Sequence, residues 1–316
     1  YSHIQDELDT VEELMEQSIG AAHPELAEMC EYVLSNHGKR VRPAICILSY
    51  LACGGKDPTK AVHIGSAFEV IHNATLIHDD INDAGEVRRG RKALYKQYQL
   101  TKAVVAGDYL FAVGFGLIGA TNDSVIKYVV QAAAAMGVGE FDQNDYEHVH
   151  TVTEDEYFKI IDGKTAQLIS SAAKCGACIA TEDKDLIDAI GEYARNTGMA
   201  FQIIDDLLDI IGETGNTGKP VGGDILEGKP TLPIIYGMED PSVGAEVRRI
   251  FDMAQPSMED AQEAIALIKR TDSIERCRAV AHKYADEAKA ALARLPPSEY
   301  RDSMYQLIDY ILERDR

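Results

Sequence analysis

The stretch IHNATLIHDDINDAGEVRRG, residues 71–90, sets apolar residues at helical spacing directly before three carboxylates, Asp79, Asp80 and Asp83, and follows these with Arg88 and Arg89. Carboxylates packed this closely repel one another, and an unpaired carboxylate on the inner face of a helix is costly. On a helix, residues i and i+4 share a face, so at least two of the three point in one direction. A second stretch, FQIIDDLLDI (201–210), repeats the spacing with Asp205, Asp206 and Asp209, again within apolar surroundings. A single such run is compatible with a solvated helix face, but two of identical spacing with basic partners point to a shared ligand. His78 adjoins the first cluster, and the second has no His or Cys beside it. That donor set suits a hard divalent ion. Magnesium fits, held through one or two carboxylates per site plus water and substrate phosphate.

Outward from these motifs the helical period continues almost without a break. Residues 4–19 place Leu8, Val11, Leu14 and Met15 on one stripe, as an amphipathic helix requires. Helices are predicted over 24–36, 41–53, 58–78, 101–120, 124–147, 154–180, 185–211, 231–238, 243–254, 258–270, 273–294 and 298–314. Asp57 is the expected N-cap of the helix over 58–78, with Pro58 at its first position. No alternating strand with a hairpin turn is legible. The expectation is an all-α fold, a single large helical bundle formed by residues 1–316 as one domain. One stretch breaks the pattern: GETGNTGKPVGGDILEGKPTLP, 212–233, holds six glycines, three prolines and two lysines. Its place directly after the second acidic motif suggests a lid.

The chain has 316 residues, 46% of them hydrophobic, and a net charge of −21. This content supports a sizeable core, and the charge argues against nucleic acid or an anionic membrane as partner. The apolar stretch 102–120 carries Asp108 near its middle and is expected to be a buried core helix rather than a transmembrane segment. Six cysteines are scattered among apolar residues, and no stretch reads as a secretory signal, so reduced thiols and a cytoplasmic location are expected. Cys175-Gly-Ala-Cys178 is a lone CxxC and reads as packing. His148 and His150 read as surface residues.

In so acidic a chain, basic residues beside glycines stand out as phosphate binders. They occur in GKRVRP (38–43), RRG (88–90), DGKT (162–165) and the loop lysines Lys219 and Lys229. Together with the two aspartate motifs, DGKTAQL and GKPVGGDILEGKPTLP, their order along the chain resembles that of the trans-type polyprenyl (isoprenyl) diphosphate synthases, medium to long chain. The resemblance implies the isoprenoid synthase fold around a central cavity, a homodimer, and magnesium held by Asp79, Asp80, Asp83, Asp205, Asp206 and Asp209, as three ions with substrate bound. It places Arg88, Lys164 and Lys219 on the diphosphate of an allylic substrate. Lys39, Arg42, His72 and Arg89 fall on isopentenyl diphosphate, and Thr165 and Gln202 near the developing cation; Lys229 takes a second lid-lysine position. The implied reaction ionises the allylic diphosphate, adds isopentenyl diphosphate and eliminates a proton.

In this family the helix leading into Asp79 runs down the cavity wall, so residues one turn before it limit the product. Here they are Ala74 and Thr75, both small, which implies a geranylgeranyl-length or longer product. A deeper floor could come from Val70, Ile71, Phe111, Phe115 or Met136. The alternatives are a terpene cyclase, which usually lacks the complete second aspartate motif and the isopentenyl-site arginines, and a non-catalytic partner subunit, which typically loses aspartates.

Overall fold

The computed structural model describes residues 2–20, 23–36, 38–119, 121–212 and 221–314. The fold is all-α but for one short hairpin. In chain order the elements are α1 (Gln5–Ser18), α2 (Pro24–Leu34), α3 (Val41–Ala52), α4 (Thr59–Asn82), β1 (Val87–Arg88), β2 (Arg91–Lys92), α5 (Leu94–Gln97) and α6 (Leu100–Ile118). They continue with α7 (Asp123–Asp145), α8 (Glu154–Ile161), α9 (Gln167–Ala180), α10 (Lys184–Ile211), α11 (Gly223–Leu226), α12 (Leu232–Glu239), α13 (Gly244–Phe251), α14 (Met258–Ile268), α15 (Ser273–Leu292) and α16 (Glu299–Glu313). The chain divides into two compact units. The first comprises Tyr1–Val130, Ser171–Gly191 and Leu292–Met304; the second comprises Gln131–Ser170, Glu192–Ala291 and Tyr305–Arg316.

In the first unit α4 is apolar over most of its circumference, from Ala61 to Ile77, and is correspondingly buried between α1, α3 and α6. Its start lies one residue later than expected. Pro58 is the cap residue, while Asp57 Oδ1 accepts from the Thr59 amide at 3.1 Å and the Thr59 hydroxyl at 2.6 Å. Its end lies later too: the helix runs through Asn82 with Asp83 as C-cap, so the whole first aspartate motif sits on its last turn. Glycines let α6 approach closely. A Cβ on Gly114 would stand 2.6 Å from Ile71 Cγ1, and one on Gly107 would stand 2.3 Å from the His78 ring. The expected burial of α6 holds for one face only. Ala103, Ala106 and Leu110 are fully buried, but Val105 is 52% and Phe115 45% exposed. Among the described residues α6 is the one helix long and apolar enough to cross a membrane.

In the second unit α8 starts at a capping box, Thr153 with Glu156, and α12, α13 and α14 pack on one another. The expected continuous helix over 154–180 is broken by a π turn, Asp162–Ala166, which carries the DGKTA motif. Such turns insert one residue into a helix and re-aim its side chains. Two close approaches hold this turn. A Cβ on Gly163 would meet the Ala135 carbonyl at 2.8 Å, and one on Gly198 of α10 would meet Ala166 Cα at 2.9 Å.

Candidate active site

In the first unit, His72, Asp79 and Asp83 are seven and four residues apart and fall on one stripe of α4. Asp80, one residue round, is buried, and its Oδ1 accepts from Arg88 Nε at 2.8 Å and Nη2 at 2.5 Å. Arg88 and Arg89 are delivered by the β1–β2 hairpin, whose turn has Arg89 at φ 49° and Gly90 at φ 77°. Two consecutive left-handed residues are what a two-residue hairpin turn needs, and strands of two residues leave no alternating pattern to read. Arg89 crosses Gly38, where a Cβ would meet its Nη1 at 2.9 Å, and donates to the Asn36 carbonyl at 3.0 Å.

The GKRVRP motif is anchored by a residue that sequence reasoning missed. Arg40, at φ 50° and 5% exposed, donates to the Glu69 carboxylate at 2.9 Å, to both oxygens of Glu12 and to the Leu34 carbonyl at 3.3 Å. With Arg40 pinned, α3 begins at Val41 and carries Arg42 inward, while Lys39 lies on the exposed side. Arg42 is deeply desolvated, which lowers its pKa, and its Nε has no hydrogen-bond partner among the described residues. His72 is pushed well below the usual imidazole range, first by burial and then by Arg42, Arg89, Arg88 and Arg40. The ring is therefore neutral at pH 7 and adds a hydrogen-bonding group to a patch of four arginines, two of which, Arg40 and Arg88, are paired with carboxylates. Thr75 donates to the His72 carbonyl at 2.7 Å and is partly exposed, whereas Ala74 is fully buried.

In the second unit the π turn presents Lys164 and Thr165, and α10 presents Gln202, Asp205, Asp206 and Asp209. Lys164 pairs with Glu140 and donates to Gln143 Oε1 at 3.0 Å. The Thr165 hydroxyl donates to Gln202 Oε1 at 2.8 Å, and Gln202 Nε2 donates to Asp206 Oδ1 at 2.8 Å. The other oxygen of Asp206 accepts from the Tyr157 hydroxyl at 2.7 Å. Burial raises Asp206 to about 7, with Asp205 and Asp209 adding to the effect and Tyr157 and Gln202 opposing it. Asp209 accepts from the amides of Gly223 at 3.1 Å and Asp224 at 3.0 Å, so it ties down the return of the glycine-rich loop. Asp205 pairs with Arg314 at 2.7 Å.

Of that loop, Gly212 and residues 221–233 are described. Gly222 (φ 94°) starts α11, and Gly228 (φ 67°) follows it, its carbonyl accepting from the His148 amide at 2.8 Å. His148 is thus half-buried against the loop rather than a plain surface residue, and His150 pairs with Asp252 at 2.7 Å. Lys229 pairs with Glu227 at 2.8 Å. Lys219 lies outside the described residues. Asp224, also missed in the sequence, is half-buried, and its carboxyl is raised well above the usual range by desolvation and by Asp209 and Asp206.

No three His, Cys, Asp or Glu side chains converge on one point among the described residues. The buried carboxyls around Asp209 nevertheless form an anionic excess that a cation would relieve. This arrangement fits magnesium, which takes one or two protein carboxylates and fills its remaining positions with water and phosphate oxygens.

Comparison with known proteins agrees with this arrangement. The family model described as Polyprenyl synthetase matches residues 23–268. The chain is 35% identical over 97% of its length to a short chain isoprenyl diphosphate synthase of Methanothermobacter thermautotrophicus, covering 96% of that protein. It is 31% identical over 99% of its length to heptaprenyl diphosphate synthase component 2 of Bacillus subtilis, covering 90% of it. Its fold superposes with TM-score 0.95, at 30% identity, on a polyprenyl synthase from Caulobacter crescentus complexed with calcium and isoprenyl diphosphate, covering 100% of this chain and 97% of that one. With ordered motifs and fold both in agreement, this chain belongs to the polyprenyl synthetase family.

Proposed function

We propose that this chain is a magnesium-dependent trans-prenyltransferase that condenses isopentenyl diphosphate with an allylic diphosphate, as a single catalytic domain, to a product of geranylgeranyl length or longer. The observation that carries the reading is the gathering of Arg40, Arg42, Arg88 and Arg89 around a neutral His72, two turns from Asp79, in a chain of net charge −21. A cationic patch so placed suits the diphosphates that both substrates carry.

In this reading Lys39, Arg42, His72 and Arg89 bind isopentenyl diphosphate. Arg88, Lys164 and Lys219 hold the allylic diphosphate and share its charge as it departs. Asp79 and Asp83 at the end of α4 and Asp205 and Asp209 on α10 would hold the metal, as three ions when substrate is bound, while Asp80 and Asp206 of the same motifs are engaged by protein donors. Magnesium supplies Lewis-acid neutralisation of the leaving diphosphate. The oxygens of Thr165 and Gln202 lie near the allylic cation, and the loop at 212–233 with Lys229 excludes water that would quench it. The released diphosphate then takes the proton. The small Thr75 on the Asp79 face, with Ala74 packed behind it, leaves the cavity wall open for growth beyond farnesyl.

We read the assembly as a homodimer. The exposed outer face of α6, with Val104, Val105 and Phe115, supports this as an apolar surface that a second copy would cover. A cytoplasmic location accords with six free cysteines. Product analysis tests the reading. Purified protein with labelled isopentenyl diphosphate, magnesium and each short allylic diphosphate should yield a chain longer than farnesyl. Farnesyl alone would refute the open wall, and no product from a well-folded chain would favour a partner subunit, as the component name of the Bacillus relative allows.

A further inference from the structure

We propose that Tyr157 and Asp206 are positioning residues that fix the direction of the Gln202 amide and, through it, of the Thr165 hydroxyl. The proposal rests on the reading of Thr165 as a group near the allylic cation. It starts from a chain of three hydrogen bonds that joins α8, α10 and the π turn. Tyr157 donates to Asp206 Oδ2 at 2.7 Å, Gln202 to Asp206 Oδ1 at 2.8 Å, and Thr165 to Gln202 Oε1 at 2.8 Å. Tyr157 is 2% and Asp206 7% exposed, so neither exchanges these partners for water.

The polarity of the chain follows from the chemistry of its members. Both oxygens of Asp206 accept, one from Tyr157 and one from Gln202. The amide nitrogen of Gln202 must therefore face Asp206, which leaves its oxygen to face Thr165. The single hydroxyl proton of Thr165 is then committed to Gln202, and the oxygen lone pairs of Thr165 are turned away from the chain. An oxygen held in that sense presents partial negative charge, the sign that stabilises a developing cation. If the amide were reversed, Thr165 would accept from it and point its proton outward instead. Gln202 and Asp206 are four residues apart on one helix face, so the pair is set by α10 itself. Tyr157 holds the far side of the carboxylate, whose second oxygen would otherwise be buried without a donor.

The same network gives Asp206 a structural task whatever it does toward metal, because each of its oxygens accepts from a protein donor. Asp80 in the first motif is similar, with Arg88 on its Oδ1.

The test is a cycle of Tyr157→Phe, Thr165→Val and the double variant. Tyr157→Phe removes one hydroxyl, whose hydrogen bond in the structure goes to Asp206. It should lower kcat about tenfold with KM for both diphosphates unchanged, since misdirected dipoles act on the transition state. In the Thr165→Val background the same change should cost less than about twofold. Mn2+ binding, titrated by electron paramagnetic resonance with inorganic pyrophosphate present, should be the same in Tyr157→Phe and the parent. An equal kcat loss in both backgrounds, no loss at all, or weakened Mn2+ binding would each overturn the proposal. Should Tyr157→Phe melt below the assay temperature, the whole cycle is run at a lower temperature at which the parent and all three variants are folded, and is judged by the same outcomes. A Thr165→Val variant as active as the parent would overturn the reading of Thr165 on which the proposal stands.

Discussion

The Ala74 and Thr75 positions give a prediction in which stability and product length separate. Thr75 lies four residues before Asp79, about 6 Å along α4 and about 40° round the helix from it. Ala74 is one residue further and about 140° away from the same direction. The burial of the two agrees: Thr75 is partly exposed, whereas Ala74 has no exposed surface. A phenyl ring at position 75 therefore rises on the Asp79 face, one turn from the reaction centre. It forfeits the 2.7 Å bond to the His72 carbonyl, worth about 1 kcal/mol, and regains part of that by covering apolar surface. A ring at position 74 enters closed packing and costs about 1–3 kcal/mol. Both variants are assayed by urea denaturation and by chromatography of dephosphorylated products from labelled isopentenyl diphosphate. Thr75→Phe should stop growth at farnesyl or shorter with stability within about 1 kcal/mol of the parent. Ala74→Phe should lose about 1–3 kcal/mol and change the product less. A shortened product from Ala74→Phe at parental stability, with Thr75→Phe unchanged in product, would refute the assignment of faces.

Other consequences concern the scaffold of the site. Arg40→Met leaves the buried carboxylate of Glu69 without its guanidinium and should lower stability by about 3–5 kcal/mol in urea titration; a loss below about 1 kcal/mol would show that the cluster is dispensable. Gly228 has φ 67° and the His148 ring would stand 2.5 Å from its Cβ, so Gly228→Ala should cost about 2 kcal/mol and make residues 221–233 more susceptible to limited proteolysis; parental stability and cleavage would contradict the clamp. Burial raises the thiols of Cys30, Cys53 and Cys178 to about 11. A raised thiol pKa means little thiolate at pH 8, so Ellman's reagent should react slowly with the folded protein and titrate all six cysteines once it is unfolded. Rapid reaction of the Cys175/Cys178 pair in the folded state would restore a redox reading of that motif.

The helices were legible because their apolar residues repeat at a period that no strand can satisfy. Stretches where backbone geometry departs from that period were not. The β1–β2 hairpin has two residues per strand, too few to alternate, and its sense depends on left-handed Arg89 and Gly90. The π turn at Asp162–Ala166 sits inside a pattern that reads as unbroken helix, because one inserted residue shifts the phase by only part of a turn. The aspartate and arginine positions could be read because chemistry restricts their type. Their supports could not. Glu12 and Glu69 are 57 residues apart in the chain, a spacing no local rule reads, yet both accept from Arg40. Tyr157 looks like any core aromatic until its hydroxyl is seen on Asp206.

The doubled aspartates themselves have a geometric reason. Adjacent residues on a helix point about 100° apart, so a DD pair cannot address one point with both carboxylates. In each motif the middle member is the buried one: Asp80 and Asp206 lie inside, while Asp79, Asp83, Asp205 and Asp209 keep partial exposure. The buried members each engage protein groups, Arg88 in one unit and the Tyr157–Gln202 pair in the other. A carboxylate that holds an arginine or an amide in place must be desolvated to hold it firmly, whereas one that receives a hydrated ion must remain reachable by water. Those requirements pull against each other at a single residue, and Asp205, which pairs with Arg314 while keeping partial exposure, stands between them. In the proposed reading, two neighbouring carboxylates on one turn meet both at once, with the outer one open to ions and the inner one fixing the groups proposed to act on the substrate.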